Sequence, residues 1–192
     1  LADAEESGAP NQYANHYMLM LPRSARRIND AMAEYAVQRM EAITGPLAHH
    51  AVLILGISYR GNVRETAFTS AKLLQEALLE HGAAVYVDDP LFSESELRDL
   101  AYIPLSAGLE SKIQAIILQA DHQTYQSLVF GRFINCQVVL DGRRALSRET
   151  IESLSASGMH YIAIGDGGHE LSQQHKREPL LTSVGTPEGG YR

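Results

Sequence analysis

Five short apolar runs, separated by helical patterns, occupy the chain between Ala51 and Gly165. They are AVLILG (51–56), AAVYVDDP (83–90), AIILQAD (115–121), CQVVLDGR (136–143) and YIAIG (161–165). Between them SAKLLQEALLEHG (70–82), SESELRDL (93–100), HQTYQSLVF (122–130) and SRETIESLSASG (147–158) read as helices, the third a short one. AYIPLS (101–106) reads as a weak strand or an extended link. Ser70 or Thr69 is placed to cap the first of these helices and Gly82 to stop it. Ser93 followed by Glu96 forms a capping box. Strands that alternate with helices in this way imply βαβ units and a parallel α/β sheet. In such sheets ligands gather beyond the carboxyl ends of the strands, where the strand order reverses.

The carboxyl ends of four runs are polar: Tyr59–Arg60–Gly61–Asn62, Asp88–Asp89–Pro90, Asp121–His122 and Asp141–Gly142–Arg143–Arg144. Guanidinium forks match phosphate oxygens bidentately. Two arginine-bearing loops at one sheet edge therefore suit a diphosphate, and solvated loop arginines are an equal reading. The dinucleotide signature G-x-G-x-x-G is missing after the first run. Asp121 and His122 are either an acid–base pair or the closure of a strand end. Cys136 is the single cysteine, set among apolar residues, and reads as a buried small side chain. The histidines show no metal-helix spacing, and GDGGH (165–169) reads as a turn.

Ahead of the alternating region, residues 22–44 carry a long helical pattern. Leu21, Ala25, Ile28, Met32, Tyr35 and Met40 follow it at spacings of three or four apart from one five-residue step, with Pro22 in the first turn. A helix of this length usually packs against more than one body. Residues 1–21 read as an irregular segment and 166–192, rich in Gly and Pro, as an irregular tail. A net charge of −7 argues against general nucleic-acid binding, which needs basic surface. No apolar run reaches the length of a membrane helix, and the acidic N-terminus has no signal-peptide core. A cytoplasmic home is expected. The first residue is Leu rather than Met, so the chain is expected to be a processed or cut piece.

LGISYRGNVRET, followed by LLQEALLEHGAAVYVDDPLF, resembles the nucleotide-sugar 6-dehydrogenases, the family of UDP-glucose, UDP-N-acetylmannosamine and GDP-mannose dehydrogenases. ARRIND (25–30), QADHQTYQSL (119–128) and VVLDGRRAL (138–146) are similar to further motifs of that family, in the same order. The resemblance implies a Rossmann-like doubly wound parallel sheet over residues 48–165, preceded by the long helix, which would serve as a homodimer seam. It implies that Tyr59, Arg60, Asn62 and Arg143 bind a UDP-sugar. Arg64 would contact NAD in place of the family arginine that aligns with Ala67. The implied reaction is a two-step, NAD-dependent oxidation of a sugar C6 alcohol to a carboxylate for polysaccharide synthesis. Its thiohemiacetal-forming cysteine lies upstream of the central helix.

The departures are specific. Arg60 stands where the family has lysine, and Thr69 where it has serine. No G-x-G-x-x-G and no cysteine motif precede the long helix. NAD is therefore expected to bind mainly to a further domain, and this chain is expected to have no catalytic residue of its own and to be inactive alone. A stand-alone nucleotide-binding module and a non-catalytic dimeric scaffold are the alternatives.

Overall fold

The computed structural model describes residues 20–165, so most of the expected N-terminal segment and all of the 166–192 tail lie outside the described residues. Within them are five strands: β1 (Ala51–Leu55), β2 (Ala84–Asp88), β3 (Ile113–Leu118), β4 (Val138–Asp141) and β5 (His160–Ala163). All pair in parallel, in the order β2-β1-β3-β4-β5. The register sets Leu55 beside both Asp88 and Leu118, and Leu118 beside Asp141. Four strand ends therefore finish along one edge. The order reverses between β1 and β3, which is the switch point of an α/β sheet.

Helices cover both faces, as a doubly wound sheet requires. The α1 helix (Met20–Thr44) and α2 (Ala71–Glu80) pack on one face, with Leu97 of the short α3 (Glu94–Asp99) beside them. The core there joins Val37, Met40, Leu74 and Leu78 to Val52, Ile54, Ile117 and Leu140. On the other face Leu154 of α4 (Arg148–Ala156), with Tyr125, Phe130 and Phe133, covers Leu53, Leu55, Ile116 and Val139. Alternate residues of each strand thus serve opposite cores, which is why the runs are apolar throughout. Each large aliphatic side chain buried here contributes about 1.5–3 kcal/mol.

Capping chemistry sets the helix ends. Ser93 accepts the Glu96 N–H while Glu96 reaches back to the Ser93 N–H, completing the capping box. Ser147 accepts the Thr150 N–H at the start of α4. At α2 the side-chain bond comes from Thr69, whose Oγ1 accepts the Ala71 N–H, while Ser70 occupies the cap position without a side-chain bond. Gly82 ends that helix at φ +77°, a conformation that suits a residue without Cβ.

One segment departs from the sequence reading, and AYIPLS takes the extended-link form of its two readings. HQTYQSLVF forms two 3-10 turns, Gln123–Ser127 and Phe130–Arg132, instead of a helix. Neighbouring loops claim its polar groups: Gln123 N–H donates to Asn62 Oδ1 and Tyr125 O–H to the Asp88 carbonyl. AYIPLS makes a single bridge, Pro104 to Val87, and Pro104 has no N–H with which to extend a ladder.

The α1 helix divides by burial. Ala33, Ala36, Val37 and Met40 are buried, whereas Leu21, Ile28 and Tyr35 are 81, 66 and 40% exposed. At 100° per residue the two sets are centred roughly 130° apart around the axis. Of the stripe read from the sequence, Met40 therefore docks on this sheet, whereas Leu21, Ile28 and Tyr35 face away from it.

Candidate functional site

The loop that follows β1 carries the first group of site candidates. Gly56 opens it at φ +86°, and a Cβ there would lie 2.5 Å from the Ala120 Cβ, so the close crossing of the β1 and β3 ends needs glycine. Gly56 N–H donates to Asp88 O at 2.8 Å. The Asp89 carboxylate then takes the Ile57 N–H at 2.8 Å, the Ser58 N–H at 3.3 Å and the Ser58 hydroxyl at 3.3 Å. Tyr59 N–H donates to Glu65 O, Gly61 N–H to Asp121 Oδ1 and Asn62 N–H to His122 Nδ1. Every amide from Gly56 to Asn62 except that of Arg60 thus has a partner inside the chain.

This pattern decides what the loop can hold. A dinucleotide cradle offers free backbone N–H groups to the pyrophosphate. Here those groups are already bonded, so the residues present do not fit the NAD pyrophosphate. Arg64, the candidate NAD contact, donates through Nε to Leu91 O and through Nη2 to Glu96, and its guanidinium lies 4.8 Å from the Phe92 ring centre. Those contacts turn it toward the start of α3.

Arg143 does the opposite. It leaves β4 through a turn held by Asp141, whose Oδ1 accepts the Arg143 N–H and whose Oδ2 accepts the Leu146 N–H. Its Nε donates to Gln119 O at 2.6 Å and its Nη2 to Tyr59 O at 2.9 Å. One side chain from the β4 loop thereby crosses the end of β3 and fastens the β1 loop. A guanidinium carries five N–H groups, so donors remain for an anion. Tyr59 is 53% exposed, and Arg60 is exposed with no protein partner among the described residues. The structure therefore gathers Tyr59, Arg60 and Arg143 at the switch point. Asn62 joins them with its carboxamide oxygen bonded to Gln123 N–H and its backbone at φ +58°.

Beside Arg143, a cavity of about 180 Å³ opens between α1, α2 and the ends of β3 and β4, with Met32, Leu74, Gln119 and Ile164 in its lining. That is below the roughly 300–1,000 Å³ of pockets for drug-sized ligands, so it suits one ring or a small group. Gln119 Nε2 donates to Thr69 Oγ1, while Oε1 is buried without a partner among the described residues. Sequence reasoning passed over Gln119, Asp141 and Asp89 as site-builders. The only available signal was their position at strand ends. Cys136 lies on the other face of the sheet, and burial pushes its thiol up to about 12, so at neutral pH it is a packed thiol and no nucleophile. Among the described residues no cluster of His, Cys, Asp and Glu could hold a metal ion, and no helix is long and apolar enough to cross a membrane.

Residues 53–148 match the sequence profile of the UDP-glucose/GDP-mannose dehydrogenase family, UDP binding domain. The chain belongs to this family. It is 27% identical over 156 residues to a UDP-N-acetyl-D-mannosamine dehydrogenase of Methanocaldococcus jannaschii, covering 77% of this chain and 34% of that protein. A UDP-glucose dehydrogenase from Pyrobaculum islandicum superposes with a TM-score of 0.54 at 26% identity, covering 64% of this chain and 28% of that one. The UDP-N-acetyl-mannosamine dehydrogenase of Staphylococcus aureus shares the fold, with a TM-score of 0.56 at 20% identity over 76% of this chain and 34% of that one. The chain spans about a third of the length of the curated relatives it matches.

Proposed function

We propose that this chain is the nucleotide-sugar-binding and dimerisation part of an NAD-dependent UDP-sugar 6-dehydrogenase, which oxidises a sugar C6 alcohol to a carboxylate. The reading rests above all on Arg143 bridging the β1 and β3 loops next to Arg60, which has no partner among the described residues. In this reading the two guanidinium groups hold the diphosphate from two loops, and Tyr59 lies against the ligand. Asn62 contributes its carboxamide NH2. A charged fork already fixed by two carbonyls loses little freedom on binding, which favours affinity.

NAD belongs in this reading to a separate part of the whole protein, because the β1 loop has no free amide cradle for it. With its single thiol buried, this chain alone oxidises nothing. The exposed α1 stripe of Leu21, Ile28 and Tyr35 is assigned to a second copy of the chain, making residues 22–44 the dimer seam. The protein works in the cytoplasm, where nucleotide-sugars are made into polysaccharide precursors.

Calorimetry with UDP tests the binding role. Binding is expected for the wild-type chain and at least tenfold weaker binding for Arg143→Ala, as loss of a charge-assisted contact implies. No heat with UDP would overturn the reading in favour of a dimeric scaffold. Formation of NADH from NAD and a UDP-sugar by this chain alone would overturn the assignment of catalysis to another part of the protein.

A further inference from the structure

Asp121 and His122 are consecutive at the end of β3, yet they do not pair with each other. They take consecutive amides of the β1 loop instead. Asp121 Oδ1 accepts the Gly61 N–H at 3.0 Å and His122 Nδ1 accepts the Asn62 N–H at 3.0 Å. Asn62 closes the clasp in return, its Oδ1 accepting the Gln123 N–H at 3.0 Å. Because Nδ1 accepts, the hydrogen-bond network puts the ring proton on Nε2. Nε2 lies 3.1 Å from Asp89 Oδ2, the same oxygen that takes the Ile57 and Ser58 amides. The side chains of His122 and Asp89 are both fully buried. A Cβ on Gly61 would lie 2.2 Å from the Asp121 carbonyl oxygen, so the two loops are in direct backbone contact.

Arg60 sits between two fixed points. Before it, Tyr59 is held at its N–H by Glu65 O and at its carbonyl by Arg143. After it, Gly61 and Asn62 are held by the clasp. Its own backbone N–H and guanidinium are the groups left over. We propose that His122 and Asp121 are positioning residues for ligand binding: they set the backbone on either side of Arg60 so that its free groups meet an anion at no ordering cost. His122 acts through its Nδ1 acceptor and touches no substrate. This inference rests on the reading of the β1 loop as a UDP-sugar site.

Two substitutions separate the halves of the imidazole. His122→Asn keeps an acceptor near Nδ1 for the Asn62 N–H and loses the donor to Asp89. His122→Gln keeps a group near Nε2 and loses that acceptor. UDP affinity by calorimetry is expected to fall about tenfold in His122→Gln and to stay within about threefold of wild type in His122→Asn, whatever their melting temperatures. Asp121→Ala, at an exposed side chain, is expected to weaken UDP about threefold. In the wild-type chain, ring ¹⁵N shifts of His122 are expected to show an unprotonated Nδ1 and a protonated Nε2. Equal affinity loss in both His122 variants, wild-type affinity in all three variants, or a proton on Nδ1 would overturn the positioning role while UDP binding stands. Absence of UDP binding by the wild-type chain would overturn the site reading itself and this inference with it.

Discussion

The loop from Gly56 to Asn62 runs from buried Ile57 and Ser58 out to exposed Tyr59 and Arg60, the first half of α1 is exposed throughout, and their chemistry is opposite. In the loop, six of seven amides find partners, one on nearby Glu65 and five on residues 88, 89, 121 and 122, so its shape is specified mainly by groups far away in sequence. In α1, residues 20–31 are all exposed, with Leu21 and Ile28 presented to solvent. Among the described residues, nothing outside the helix covers them. In the proposed reading the loop is set for a small ligand and the helix for a second copy of the chain. A polar site must be rigid before binding because directional contacts are lost with small shifts, whereas an apolar face needs only to be presented.

Breaking the loop at its centre gives the largest expected effect. Asp89→Ala leaves the Ile57 and Ser58 amides and the His122 ring buried without their acceptor. Urea unfolding is expected to show a loss of about 3–5 kcal/mol. Gly61→Val is next: a side chain cannot fit against the Asp121 carbonyl, and a loss of about 2 kcal/mol is expected, with chemical-shift changes concentrated in residues 59–62 and 119–123. The double change Leu21→Ser, Ile28→Ser should move stability of the single chain by less than about 0.5 kcal/mol, since neither side chain packs on the body. Sedimentation is the sharper readout there: the proposed dimer should become a monomer, and an unchanged mass would remove α1 from the seam.

The smallest effect concerns the hold of α1 on α2. His81 Nδ1 lies 3.0 Å from Glu41, and its Nε2 3.3 Å from Glu34. The hydrogen bond to Glu41 raises the His81 pKa above its ordinary 6.5. The Leu47 N–H, and after it His81, lower the Glu41 pKa below its ordinary 4.5. The contribution of His81 is complete below 6.5 and is lost as pH rises through its raised value. The contribution of Glu41 is complete above 4.5 and is lost as pH falls through its lowered value. Between those limits the contact is strongest. Because the groups are partly solvated, the melting temperature should fall by only about 1–2 °C from pH 6 to 8.5, and His81→Gln should remove most of that slope.

Much of the scaffold was legible in the sequence. Apolar runs that serve two cores, helices between them, and capping residues such as Ser93 and Glu96 are local signals. HQTYQSLVF misled because its polar groups answer to Asn62 and Asp88, more than 35 residues away in sequence. The candidate site was legible as residue types at strand ends. Which of these residues are tied to the body was not, because Arg60 and Arg64 look alike in sequence. Only the fold places Glu96 and Leu91 against Arg64 and leaves Arg60 without a partner among the described residues.

By itself, then, the sequence determined the alternating architecture, the family and the edge at which a ligand site would lie, since periodicity, turn chemistry and motif order are properties of neighbours along the chain. The tertiary structure decided the division of labour at that edge: Arg143 across three loops, Asp121 and His122 as a clasp, and a helical stripe turned away from its own domain. Hydrogen bonds act over about 3 Å, and which groups come that close across 30 or 80 residues of sequence is settled only when the strands align.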